Sequence, residues 1–195
     1  YNKNIKLIKY TNANQVSTKD AQDQWIRDKL SNEMGGGGNG DWWKRAASGA
    51  NITGFSSDAW QVNISLQTTP DVAGLRWMQW LARYWNATPA DSGDWVAPSG
   101  FKKGRGLREG AWDGVFLDTQ YISTSINAPS DADYNNDGIN DPPWDTQTRN
   151  WVVAGQIALV NEWRKLQPTR LVLGQYGALT SASETDPYPF QGVHD

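Results

Sequence analysis

Ala111-Trp112-Asp113-Gly114-Val115-Phe116-Leu117-Asp118-Thr119-Gln120-Tyr121 decides how the rest of the chain folds. A polar, glycine-containing approach gives way to Val115-Phe116-Leu117, and this apolar run stops on a carboxylate. Three consecutive apolar residues suit a short strand covered on both faces, as in a parallel sheet. Functional groups of parallel α/β folds gather at the carboxyl ends of strands, which makes Asp118 the first candidate for chemistry.

Downstream of that strand, Asp133, Asn135, Asp137, Gly138 and Asp141 occupy the first, third, fifth, sixth and ninth positions of an acidic calcium loop. Gly138 permits the sharp turn, and side-chain oxygens together with the Ile139 carbonyl can converge on one hard cation. The twelfth position holds Trp144 in place of the usual bidentate Glu, with Asp145 beside it. A structural Ca2+ within residues 131–145 is therefore expected, the alternative being a solvated acidic loop. Thr146 or Thr148 can cap the helix that follows, whose stripe includes Trp151, Val152, Ile157, Val160 and Trp163. Pro168-Thr169 ends it, and Arg170 to Gly177 returns as a strand with Gln175 and Tyr176 at its exit. Strand, loop, helix and strand form a parallel β-α-β unit.

Upstream, residues 87–110 make a long Pro-, Gly- and Ser-rich connection, and connections of that length in compact domains are usually functional or disordered. Glu109 lies in it, close to the strand, as an accessory carboxylate or a solvated loop residue. Pro70-Asp71 opens a helical pattern through Trp85, in which Trp77, Trp80 and Trp85 are packing residues. Ala59 to Leu66 alternates as a strand, residues 15–29 can hold a short helix, and Asn4 to Tyr10 reads as a first strand delivering Asn12 to its end. The tract Met34 to Gly40 lacks the Lys-Ser/Thr ending of a phosphate loop. Trp42 and Trp43 follow it, and alternation along a strand would send them to opposite faces. At least one of them lines a groove beside the strand ends, or a Trp covers the barrel or sheet edge.

Composition narrows the function classes. The 195 residues suffice for one core, carry a formal charge of -3 and show no interdomain linker. No broad cationic surface exists for nucleic acid. Cysteine is absent and the single histidine is His194, so the chain holds neither a thiolate metal cluster nor an internal Ser-His-Asp relay. No apolar run reaches membrane-spanning length. Twelve Trp and seven Tyr, many beside Asn, Asp, Gly and Pro, suit flat platforms for sugar faces as well as core packing.

With these segments in place the chain resembles the glycosyl hydrolases of TIM-barrel fold, similar in pattern to the endo-α-1,4-polygalactosaminidase group. The resemblance runs through Lys6 to Tyr10, Trp60 to Ile64 with its helix, Asp113 to Asp118, the Asp133 to Asp141 loop and Leu171 to Gln175. Its distinctive portion is the Asp-Gly-Val-Phe-Leu-Asp strand with the acidic loop; Gly174-Gln175 stands where related strands often finish in Gly-Asn. It implies an α/β fold of (β/α) barrel type across residues 1–195, incomplete as a barrel, in which Asp113 and Asp118 bracket one strand. It implies further a hydrolase of polysaccharide or oligosaccharide, extracellular or at the cell surface.

Glycosidic cleavage takes two carboxylates. Asp118 is the expected nucleophile or general base. Glu109, Asp58 and Glu184 are the partners available within the chain, or the partner stands on a further strand outside it. Tyr10, Asn12, Trp42, Trp43, Tyr121, Trp144, Gln175 and Tyr176 are the expected substrate contacts. The competing reading is a non-catalytic carbohydrate-binding or calcium-stabilised surface module.

Overall fold

The computed structural model describes residues 5–32, 42–54, 57–88, 91–93, 112–120, 132–142 and 145–176. Within them the chain runs β1 (Ile8–Asn12), β2 (Gln15–Ser17), a 3-10 turn at Ala21–Asp23, α1 (Gln24–Asn32), β3 (Ala59–Gln61), α2 (Trp77–Asn86), β4 (Gly114–Gln120), α3 (Thr146–Leu166) and β5 (Leu171–Tyr176). The protein is a mixed α/β fold built on a three-stranded parallel sheet in the order β1-β4-β5.

The opening stretch is the central strand of that sheet. In β4, Gly114 to Asp118 lie opposite Ile8 to Asn12 of β1, and Gly114 to Leu117 opposite Leu171 to Gly174 of β5. Both pairings are parallel, and α3 makes the crossover between β4 and β5. Alternation sends Thr11, Val115, Leu117 and Val172 to one face, where each is at most 5% exposed. The three apolar ones share a cluster with Val152, Leu159, Val160 and Trp163 of α3 and with the indoles of α2. The opposite face carries Tyr10, Phe116, Leu171 and Leu173, with Tyr10 57%, Leu171 43% and Leu173 46% exposed. A strand expected to be covered on both faces is thus covered on one among the described residues.

The Ala59 to Leu66 stretch departs from its expected place. Only Ala59–Gln61 is strand, and it pairs antiparallel with β2 in a separate ribbon, Gln15 opposite Gln61 and Ser17 opposite Ala59. The ribbon grows directly from the end of β1, where Asn12 Oδ1 accepts from the Asn14 amide at 2.9 Å and turns the chain out of the sheet.

Pro70-Asp71 starts a turn rather than a helix. Asp71 Oδ1 accepts from the amides of Ala73 and Leu75 at 2.9 and 2.8 Å, an alternative to helical bonding that short acidic side chains offer. Helix α2 begins six residues later, with Gln79 reaching back to the Arg76 amide. Lys29 pairs with Asp71 at 3.2 Å, and its ammonium lies over the rings of Trp42 and Trp80. Around it, Trp25, Trp77, Trp80 and Tyr84 form a ladder of ring contacts with centroids 5.2 to 5.5 Å apart. Trp77, Trp80 and Trp85 are packing residues, each at most 2% exposed. The cap of α3 is Asp145, which accepts from Gln147 and Thr148, and neither expected Thr fills that position.

Candidate functional site

The carboxyl ends of β1 and β4 bring Tyr10, Asn12 and Asp118 together. Asn12 is the in-register neighbour of Asp118, and Tyr10 is that of Phe116. A period of two along each strand puts Tyr10, Asn12, Phe116 and Asp118 on the open face. The Tyr10 hydroxyl donates to Asp118 Oδ2. Its ring stacks on Phe116, centroids 6.1 Å apart and planes 30° from parallel. Across the sheet, Gln120 of β4 lies opposite Tyr176 of β5, so Gln175 and Tyr176 end their strand at the same rim as Asp118.

Asp113 stands at the other end of β4. Its carboxylate accepts from the Leu7 amide at 2.9 Å and from Lys6 Nζ at 3.2 Å. The Leu7 amide first and Lys6 second hold its pKa below the ordinary value. Asp113 therefore precedes the strand and fastens the start of β1 to it, while Asp118 lies near its exit, the strand running on to Gln120 where the expected one stopped at the acid.

The remaining carboxylates separate clearly. Asp58 lies at the end of the β2-β3 ribbon remote from Asn12 and is paired with Lys19 at 2.5 Å. Glu162 is buried in α3, bonded to Arg83 at 2.7 Å and to Lys165 at 3.3 Å. Glu109, Glu184, Tyr121 and Trp144 fall outside the described residues, as do the side chains of Gln175 and Tyr176.

Trp42 and Trp43 are not a groove wall. They are 0% and 1% exposed, which corrects the groove reading and favours packing. Both are buried because the segment is not a regular strand. Trp42 turns to Trp77 and Trp80 and donates to the Thr69 carbonyl at 2.8 Å; Trp43 turns to Trp60 and donates to Ser31 Oγ at 3.1 Å.

The acidic loop adopts a tight internal bonding pattern. Asp133 accepts from the amides of Asp137 and Gly138, at 3.1 and 2.8 Å through separate oxygens. Asp137 Oδ1 accepts from the Ile139 amide at 2.8 Å, and Asp141 Oδ2 from the Tyr134 amide at 2.7 Å. Gly138 has φ 85° and Asn136 φ 58°, the left-handed turns that let the loop close. Burial, and then the charges of Asp133 and Asp137, push the Asp141 pKa up. Among the described residues no three carboxylate or imidazole groups stand close enough to form a metal cluster without movement.

Lys44, beside this loop, carried no sequence signal. Lys44 is buried, donates to Gln61 Oε1 at 3.0 Å, and lies 5.2 Å from the centre of the Tyr134 ring. Burial lowers its pKa to about 8, and burial also raises that of the Tyr134 phenol. Polar Lys44 follows two tryptophans in a segment without periodicity, so only its bridging position between β3 and the loop reveals the burial.

Compared with known proteins, the chain matches no family model, no curated sequence and no solved structure. The arrangement of the chain itself is what bears on function.

Proposed function

We propose that this chain is the Asp118-bearing portion of a β/α-barrel glycoside hydrolase acting on a polysaccharide or oligosaccharide, with Asp118 as nucleophile or general base. The observation that carries this reading is the placement of Asp118 at the exit rim of the central parallel strand, on the uncovered face, beside Asn12 and bonded by Tyr10. A carboxylate in that place can meet a glycosidic carbon, or a water, from one side. The second carboxylate comes from Glu109 or from a further strand.

The barrel component of the proposal is supported by the winding. Strand order β1-β4-β5 follows chain order without reversal, and the buried face joins the cluster formed by α2 and α3. Doubly wound sheets reverse at a switch point and cover both faces with helices. Barrels keep helices outside and fill the inside with strand side chains. The exposed Tyr10, Leu171 and Leu173 suit such an inside. A polysaccharide substrate suits a protein acting outside the cell or on its surface.

Calcium is proposed as a structural ion of the acidic loop, held by Asp133, Asn135, Asp137, Asp141 and the Ile139 carbonyl. Support comes from the crowding of acids in one loop: burial first, and then the charges of Asp133 and Asp137, raise the Asp141 pKa, and a divalent cation would offset both. Binding requires the carboxylates to draw closer than they stand here, and its role is to order the loop.

The test is release of reducing ends from a panel of polysaccharides. Asp118→Asn should lower turnover by about 10²- to 10⁴-fold, the span of a lost acid-base group. Unchanged hydrolysis would remove Asp118 from the chemistry. Glycan binding with no product from the unmodified protein would support the carbohydrate-binding module instead.

A further inference from the structure

We infer that Tyr10 is a positioning residue for Asp118, its hydroxyl helping to hold the orientation of the reacting carboxylate. This rests on the reading of Asp118 as the reacting carboxylate. Tyr10 reaches Asp118 diagonally across the β1-β4 pair, since Tyr10 faces Phe116 and Asp118 is two residues further along β4. The phenol donates to Oδ2.

A carboxylate without such a donor rotates about its terminal torsion, which is broad and roughly two-fold. A charge-assisted bond from a hydroxyl is among the stronger tethers available to it. Tied through Oδ2, the group is held in a fixed direction. The tether is itself held in place. Tyr10 is more than half exposed, and its ring stacks on Phe116, the residue opposite it in the sheet. Phe116 and Asp118 share a face because they are two apart on β4, so one strand supplies both the reacting group and the brace for its tether.

Positioning of this kind acts on turnover more than on substrate capture, because a misplaced reacting atom penalises the transition state while the remaining contacts still bind the sugar. Tyr10→Phe keeps the ring and its stack and removes only the donor. It should lower kcat by about 10- to 100-fold with KM changed less than about 3-fold. Tyr10→His, which restores an N–H donor on a ring, should recover part of that loss. The crystal structure of Tyr10→Phe should show Asp118 in a changed or split rotamer, and unfolding of Tyr10→Phe, Asp118→Ala and the double variant should be non-additive.

Unchanged kcat in Tyr10→Phe, or a loss carried by KM alone, overturns the inference. If the unmodified protein cleaves no glycan, the hydrolase reading fails, and the rotamer and the double-mutant cycle decide the tether by themselves. An unmoved Asp118 with additive effects overturns it, and a displaced Asp118 with coupled effects sustains it.

Discussion

Lys44 shows how one residue sets a pH dependence for the whole fold. Its ammonium is buried against an amide oxygen and the face of a phenol ring, without a carboxylate partner in those contacts. Burial takes its pKa from 10.5 to about 8. Between those two values the unfolded chain binds more protons than the folded one, so stability rises with pH across that window and the penalty is complete below it. Each tenfold shift in protonation is worth about 1.4 kcal/mol. Lys44→Met removes the charge and keeps the length; after allowance for the lost bond to Gln61 it should add on the order of 2 kcal/mol at neutral pH. Chemical denaturation at neutral and alkaline pH checks this, and the gain should shrink as the pH approaches 10.5. Asp118 illustrates the other side of residue-scale reading. Its place at a strand end was legible from three apolar residues followed by an acid. The Tyr10 bond was not, because it depends on the register between strands more than a hundred residues apart.

At the scale of elements, helix α3 contains a glycine that intrinsic propensity would replace. Gly155 lies in mid-helix, where Ala is ordinarily favoured by about 1 kcal/mol. Here a Cβ would sit 1.7 Å from the Ile64 carbonyl oxygen and 2.8 Å from its carbon, both backbone atoms that cannot swing aside. Gly155→Ala should therefore destabilise, by about 3 kcal/mol or more, and a lowered denaturation midpoint is the measurement.

Without a cation in the acidic loop, the raised pKa of Asp141 means that its contribution to stability declines as pH rises from 3.8 through the folded value, since the folded state then holds the extra proton. A cation favours the ionised form and opposes that decline. Calcium should raise Tm near neutral pH and lose its effect in acid, and Asp133→Asn should abolish the rise. No change in Tm with calcium would remove the ion from the loop. The sequence showed the elements here better than their ends. Asp145 caps α3 where Thr146 or Thr148 was expected to, and Asp71, read as a helix start, closes a turn six residues before one. Both are short acids whose side chains bond nearby amides, and composition alone does not tell a cap from a turn.

For the molecule as a whole, apolar patterning located β4, α3 and β5, and their parallel arrangement goes with a crossover that carries α3. Periodicity did not locate the antiparallel ribbon, because Ala59 to Leu66 alternates equally well for a sheet strand and for a ribbon that leaves the sheet at Asn12. Nor did it show that the indoles at Trp42 and Trp43 would both be buried, which depends on tertiary contacts with Trp77, Trp80 and Trp60. The open face of the parallel sheet is where the barrel proposal meets a direct test. As described, Leu171 and Leu173 are nearly half exposed, and replacing such residues with Ser should change stability by no more than about 0.5 kcal/mol each. If that face is instead the inside of a barrel, each side chain is buried against strands supplied by adjoining sequence, and each Leu→Ser should cost about 2–4 kcal/mol. The barrel reading predicts the larger loss in the full-length protein. Urea denaturation of Leu171→Ser, Leu173→Ser and Val172→Ser separates the cases, because Val172 is buried on the helix side under either arrangement and calibrates the cost of a truly buried position. Losses at Leu171 and Leu173 comparable to that at Val172 would sustain the barrel, whereas near-neutral values beside a large one at Val172 would leave the sheet open to water on that face and remove the barrel.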